Sequence, residues 1–214
     1  MVDGGSGCSS GPCVWPINLP VFDKDRSRRE TACTFPTGEL LKTNWHVATA
    51  AEAIAAAQFA RLGYDVSVQY GANQPEYDLM ITDGDRFLKV SVKGSADGAW
   101  GLTQTQLKKL GSANYHGAAD AWLQRHKPRT ALCLVQFRGV ADDAMPRIYL
   151  AWPNDIAARL KAASGGRGDT TLWENYQRGP RAAGAGTLEV IPDSWKMTQE
   201  RIEHLLNGAS GTQT

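Results

Sequence analysis

Residues 77–94, YDLMITDGDRFLKVSVKG, constrain the fold more than any other part of the chain. The central DGD is typical of a tight turn between two antiparallel strands. In the second strand, apolar and polar side chains alternate, so that one set faces a core and the other an open side of the sheet. The apolar set is Leu88, Val90 and Val92, and the polar set is Lys89, Ser91 and Lys93. The first strand carries Asp78, which the hairpin brings to the level of Ser91 and Lys93.

A helix is predicted upstream, over residues 46–62, because this run is rich in alanine and free of glycine and proline. Thr43 or Asn44 is expected to cap its N-terminus, and Gly63 to end it. A strand over residues 64–70 follows, with Val66 and Val68 on one face. These elements precede the hairpin and predict a helix followed by a three-stranded meander.

Downstream, two helices are predicted over 102–110 and 115–127, then strands over 130–139 and 147–153. Pro153 is expected to open a short helix, and a terminal helix is expected between Thr198 and Gly208. The order predicts an α/β fold with a mixed β-sheet flanked by helices. Residues 1–38 are predicted to be disordered, residues 39–163 to form the main domain, and residues 164–214 to be a loop-rich extension with the terminal helix.

Composition narrows the class of protein. A chain of 214 residues, 42% hydrophobic, can bury one core, and a net charge of +1 argues against a polybasic coat for nucleic acid. No apolar run is long enough to span a bilayer, and the first residues lack the apolar segment of a secretory signal. We therefore expect a cytoplasmic protein without a membrane partner. Four cysteines do not form a disulfide framework at this length, and Cys133 is expected to be a core residue on a strand.

Glu52 stands out on the predicted first helix. It lies seven residues before Phe59, almost two turns, and shares a stripe with Ala55 and Ala56. An acid on a packed stripe is unfavourable unless a positive charge meets it, and a bound cation or Lys93 would provide that charge. The alternative is an ordinary solvated glutamate at the edge of the stripe.

Taken together, three segments resemble the PD-(D/E)xK nuclease superfamily, in particular its Holliday-junction-resolvase and intron-endonuclease-like members. They are AEAIAAAQFARLGYDVSVQ, PEYDLMI and LKVSVKG, with a weaker likeness in YLAWPNDI. The motif is short, but its parts occur in register over about half of the chain. The resemblance implies a restriction-endonuclease-like sheet in αβββαββα order and a metal-dependent endonuclease that hydrolyses DNA phosphodiester bonds.

The resemblance also implies roles for individual residues. Asp78 would be the metal-binding aspartate, Lys93 the catalytic lysine and Glu52 the helix glutamate of the resolvase-like members. The backbone carbonyl of Val92 would complete the ligands of Mg²⁺, with Mn²⁺ as an alternative ion, because such ions take hard oxygen ligands and keep several waters. DNA is then the expected partner, and a homodimer is a possible assembly.

Ser91 departs from the family pattern, because it occupies the position of the second acidic residue. A neutral hydroxyl weakens ion binding, so the missing carboxylate would have to come from Glu52 or, less well, from Asp97. In the other interpretation, the chain is a catalytically inactive nuclease-like domain that binds nucleic acid or a protein.

Several polar residues are candidates for contact with nucleic acid. The predicted set is Lys89, Gln104, Lys108 and Lys109. A second group could line a phosphate-binding groove, although such charges are usually a solvated surface. It comprises Lys108 and Lys109 again, together with Arg125, His126, Lys127 and Arg129. The histidines have no metal-ligand spacing, which favours exposed or structural roles.

Overall fold

A computed structural model describes residues 43–69, 76–111, 113–127 and 129–210. Of residues 209 and 210 it describes the backbone alone. All of these residues belong to one compact unit, Gly38–Thr214. The prediction of disorder over residues 1–38 lies outside the described residues.

The described residues form five α-helices and nine β-strands. The helices are α1 (Asn44–Arg61), α2 (Gln104–Leu110), α3 (Tyr115–Leu123), α4 (Pro153–Ala162) and α5 (Gln199–Ser210). The first five strands are β1 (Asp65–Val68), β2 (Leu79–Asp83), β3 (Arg86–Ser95), β4 (Ala99–Gly101) and β5 (Thr130–Gln136). The remaining strands are β6 (Arg147–Ala151), β7 (Thr171–Trp173), β8 (Asn175–Gln177) and β9 (Leu188–Val190).

The main sheet has five strands in the order β1-β2-β3-β5-β6. Only β3 and β5 run parallel, with Lys89 opposite Thr130, and the other neighbours are antiparallel. Parallel strands need a long crossover, and α2 and α3 lie within it. The predicted α/β class with a mixed sheet flanked by helices is therefore confirmed.

The two faces of the main sheet belong to different hydrophobic clusters. Leu88, Val90 and Val92 face a cluster that includes Phe59 of α1 and Leu205 of α5. The opposite face carries Phe87, Lys89, Ser91 and Lys93 on β3, and we call it the Lys93 face. Its β5 and β6 part is buried in a second cluster with α3 and α4. The β-strand alternation predicted for residues 88–93 is thus confirmed.

Helix α1 begins and ends close to where its sequence predicts. The Thr43 hydroxyl accepts a hydrogen bond from the His46 amide at 3.3 Å, which identifies Thr43 as the N-cap. Gly63 follows the helix with φ of +92°, a left-handed conformation that glycine adopts without a steric penalty. Alanines at 51 and 55 and Phe59 are buried. The small volume of the two alanines lets the helix lie close to the sheet.

Several local predictions were wrong. Residues 164–186 were predicted as loop but contain β7 and β8, and β4 and β9 were not predicted. Three-residue strands are too short to show alternation, and their pairing depends on distant partners, as in β4 with β7. Helix α5 does not end at Gly208 but continues to Ser210, and α3 ends at Leu123. Asp78 lies just before β2 rather than within it. Within the described residues, no helix combines the length and apolarity needed to cross a bilayer.

Candidate functional site

The Asp78 carboxylate is held at the point where β2 begins beside β3. Its Oδ2 accepts a hydrogen bond from the Val92 amide at 2.6 Å and a longer one, 3.4 Å, from the Ser91 hydroxyl. The Asp78 amide donates in turn to the Val90 carbonyl at 2.9 Å. Asp78 is therefore fixed to three consecutive residues of β3, and it meets Ser91 as the hairpin predicts.

Lys93 lies two residues beyond Ser91 on the same face of β3 and is exposed. Ser91 itself is only 3% exposed. The Lys93 carbonyl accepts a hydrogen bond from the Trp100 indole at 2.9 Å, which fixes the backbone at the base of the lysine. The ammonium group thus extends into solvent from a rigid strand, above the buried serine.

Glu52 is half-buried on α1 and within electrostatic range of the other two charges. Burial raises the pKa of Glu52, the negative charge of Asp78 raises it further, and the positive charge of Lys93 lowers it. The electrostatic effects fall with distance, so Glu52 lies within range of both the Asp78 and the Lys93 charges.

A close approach of α1 to β3 explains how a helix residue reaches the site. A Cβ atom added to Gly94 would lie 2.7 Å from the Val47 carbonyl oxygen and 2.9 Å from the Ala51 Cβ. Only glycine leaves room for the helix at this distance. Because Glu52 directly follows Ala51, the contact at Gly94 sets the position of the glutamate relative to Lys93.

The backbone of Val92 contributes a further oxygen. Its N–H group points to Asp78, and in an extended strand the N–H and C=O groups of one residue point to the same side. The Val92 carbonyl therefore points toward the side of β3 that holds Asp78. Within the described residues, no three His, Cys, Asp or Glu side chains converge on one point. The Asp78 carboxylate and the Val92 carbonyl thus lie on the same side of β3, and the Glu52 carboxylate is within electrostatic range of Asp78.

The other predicted residues lie in different surroundings. The Asp97 carboxylate accepts hydrogen bonds from the Ser95 hydroxyl at 2.9 Å and the Ala99 amide at 3.2 Å, so it closes its own turn. Gln104 contacts the Thr171 hydroxyl at 3.4 Å. Lys108 and Lys109 are exposed in the last turn of α2. Of the predicted nucleic-acid contacts, Lys89 lies on the same strand face as Lys93, four residues away.

His126 belongs to the surroundings of Lys93, although its sequence context favoured an exposed or structural role. Its ring contacts the Trp122 ring edge-on, with 4.4 Å between centroids. Burial lowers the pKa of His126; the charge of Glu76 opposes this, and those of Lys93 and Arg125 add to it. The residue lies far from Lys93 in the sequence, and only the pairing of β3 with β5 brings them together, so no local pattern identifies it.

Replacing Asp78 separates its structural contribution from its charge. Asp78→Ala leaves the Val92 amide, whose residue is 5% exposed, without its acceptor, and we expect a loss of about 1–3 kcal/mol in the free energy of unfolding. Asp78→Asn keeps an oxygen acceptor in the same place and should lose less than half as much. Urea denaturation of both variants measures the difference. Equal destabilisation would contradict the role of the Val92 hydrogen bond.

Comparisons of the chain with protein-family models, curated proteins and solved structures found no match.

Proposed function

We propose that the protein is a metal-dependent endonuclease that hydrolyses DNA phosphodiester bonds, with the site arrangement of the PD-(D/E)xK superfamily. The observation that carries the proposal is the proximity of Glu52 to Asp78 and Lys93, with Asp78 hydrogen-bonded to the Val92 amide. Two carboxylates beside an exposed ammonium group on rigid elements match what phosphodiester hydrolysis needs. The carboxylates bind a cation, and the lysine meets the charge that develops on the phosphate.

The strand arrangement supports the same assignment. An antiparallel β1–β2–β3 meander precedes two helices, and β5 then pairs in parallel with β3. The resemblance implies the order αβββαββα, from which the described chain differs by the short strand β4 before α2 and by two helices, not one, in the crossover. The order brings the end of β3, with Lys93 and Gly94, against α1, so that residues distant in sequence meet at one strand.

The oxygen donors fit Mg²⁺ or Mn²⁺. One carboxylate oxygen of Asp78 is engaged by Val92 and Ser91, which leaves its other oxygen, the Glu52 carboxylate and the Val92 carbonyl to hold the ion. Mg²⁺ keeps several waters and needs only one or two carboxylates alongside substrate phosphate oxygens. When bound, the ion polarises the phosphate and lowers the pKa of the attacking water. Lys93 orients that water and stabilises negative charge on the phosphate.

Ser91 favours a second candidate, a nuclease-like domain that binds nucleic acid without cutting it. The serine hydroxyl donates to Asp78 instead of supplying a carboxylate, so the site has one negative charge fewer than the family pattern. Cleavage of branched, linear and single-stranded DNA with Mg²⁺ or Mn²⁺ distinguishes the two candidates. Metal-dependent cleavage that requires Lys93 supports the enzyme, and binding without cleavage supports the second candidate.

Glu52→Gln tests the metal site without relying on cleavage. The pKa of Glu52 is raised on folding, so its ionisation costs the folded state more than the unfolded chain. The metal-free wild type should gain stability as the pH falls from above this raised pKa to below the ordinary glutamate value. The neutral glutamine should remove that pH dependence and stabilise the metal-free protein at neutral pH. Thermal unfolding between about pH 4 and pH 8 measures both effects.

Metal ions should reverse the order of stability, so that the wild type becomes more stable than Glu52→Gln. Mg²⁺ at 100 times its dissociation constant stabilises the wild type by about 2.7 kcal/mol, and Glu52→Gln should lose most of this gain. Glu200→Gln, an exposed carboxylate on α5, is the control and should respond like the wild type. An equal response of the wild type and Glu52→Gln to Mg²⁺ would remove Glu52 from the ligand set.

A further inference from the structure

Among the described residues, no helix covers the β1 to β3 half of the Lys93 face. The β5 and β6 residues on this face, among them Leu132 and Tyr149, are buried against α3 and α4. Apart from the buried Ser91 and Ser95, the β1 to β3 residues of the same face are exposed or half-buried. We call five of them the open half, and they are Ser67, Met80, Thr82, Phe87 and Lys89, as the strand register assigns them.

Two cation–aromatic pairs lie at the open half. The Lys89 ammonium is 5.3 Å from the centre of the Tyr77 ring, and the Arg129 guanidinium is 5.1 Å from the centre of the Phe87 ring. Both rings are half-buried, so part of each is accessible. Phe87 and Lys89 are two residues apart on β3, so their Cα atoms lie about 6.6 Å apart along the strand. Tyr77 precedes Leu79, which pairs with Val90, so the Tyr77 and Phe87 rings belong to different levels of the sheet.

Arg129 is held in place by an unusual backbone conformation. Its φ is +66°, in the left-handed region that non-glycine residues rarely adopt, and its carbonyl accepts the Lys89 amide at 3.0 Å. The hydrogen bond fixes Arg129 directly before the first parallel pair, Lys89 and Thr130, and next to the Phe87 ring. A strained arginine above an accessible ring is a feature that a purely structural loop does not require.

We propose that the open half binds a single strand of DNA, with bases against Tyr77 and Phe87 and phosphates against Lys89 and Arg129. Accessible rings offer stacking surfaces to unpaired bases, whereas the bases of a duplex are stacked on each other and present only their edges. Lysine and arginine beside the rings supply the complementary charge for the phosphates. Asp65 pairs with Thr82, which in turn pairs with Phe87. Its negative charge would repel phosphates and therefore marks one border of the surface.

The direction of β3 connects this surface to the candidate site. One face of β3 carries a side chain at every second residue, in the order Phe87, Lys89, Ser91 and Lys93. The Ser91 hydroxyl donates a hydrogen bond to Asp78. A strand bound along β3 would therefore lead from the aromatic pairs to Asp78 and Lys93. This inference rests on the proposed nuclease function and defines its substrate as DNA with an unpaired segment next to the scissile bond.

Binding measured without cleavage tests the surface. Fluorescence anisotropy with a labelled oligodeoxythymidine, in the presence of a chelator, should show tighter binding than to a duplex of equal length or to oligouridine. Phe87→Leu and Tyr77→Leu remove a ring but keep apolar volume, and each should weaken binding about 10-fold. Lys89→Gln should reduce the slope of log K against log salt by about 0.7.

The control is Tyr176→Leu, because Tyr176 has a similar pair, with the Arg178 guanidinium 5.5 Å from its ring, on β8. It should bind like the wild type, and circular dichroism checks that every variant is folded. Unchanged binding by Phe87→Leu and Tyr77→Leu, or tighter binding of duplex or RNA, would overturn the proposal. This outcome is separate from a failure of the nuclease assignment, in which single-stranded DNA is bound at this surface but no DNA is cut with Mg²⁺ or Mn²⁺.

Discussion

Lys93→Ala should cleave DNA about 10²–10³-fold more slowly than the wild type at saturating Mg²⁺, because it removes the positive charge that stabilises the transition state. Lys93 is exposed, so its truncation should leave the free energy of unfolding almost unchanged. Single-turnover cleavage of a branched and a single-stranded substrate measures the rate of the chemical step. Lys93→Ala should lower this rate and leave the affinity for DNA unchanged.

Lys196→Ala is the matched control, because Lys196 is also an exposed lysine but pairs with Asp193 next to the edge strand β6. Its cleavage rate should equal that of the wild type. Equal cleavage by Lys93→Ala and the wild type would place the activity at another site or in a contaminant. If neither protein cuts any substrate with Mg²⁺ or Mn²⁺ but both bind DNA, the non-catalytic binding domain is the correct interpretation.

Gly94→Ala should strongly destabilise the protein, because the added methyl group has no space between β3 and α1. The new Cβ would lie 2.7 Å from the Val47 carbonyl oxygen and 2.9 Å from the Ala51 Cβ, and neither can move without shifting α1. Overpacking of this kind costs about 3 kcal/mol when backbone has to give way. Urea denaturation followed by circular dichroism measures the loss.

Gly179→Ala is the control for Gly94→Ala, because its added Cβ would meet nothing within 4 Å and its backbone is not left-handed. Its free energy of unfolding should change by less than 0.5 kcal/mol. Since Gly94 determines how closely α1 approaches β3, the folded fraction of Gly94→Ala should also bind Mg²⁺ more weakly. A stable Gly94→Ala protein with unchanged metal affinity would mean that Glu52 does not depend on this contact.

Local features of the fold could be predicted because their causes are local. The Thr43 cap, the left-handed Gly63 and the turn at residues 83–85 are each set by a few neighbouring residues. The alternation along β3 likewise assigned Leu88, Val90 and Val92 to a core and Lys93 to the other face. The same alternation assigns Phe87 to the Lys93 face, a signal that the polar residues beside it obscured.

Features that depend on distant partners could not be predicted. The pairing of β4 with β7 joins residues about 70 positions apart, and the approach of His126 to Lys93 requires β5 to run parallel to β3. Arg129 was recognised as a basic residue, but its position over Phe87 depends on that same parallel register and on a rare backbone conformation. Sequence patterns identify the members of such groups without indicating which of them meet.

The hydrogen bond between Asp78 and Val92 has a consequence for folding kinetics. It joins residues only 14 positions apart within the β2–β3 hairpin, whereas the parallel β3–β5 pair must enclose the whole crossover that holds α2 and α3. Short-range contacts close quickly and long-range strand pairing is slow. We therefore expect the contact between Asp78 and Val92 to form early, while the neighbours that β5 brings to β3 arrive late, with the closing of the sheet.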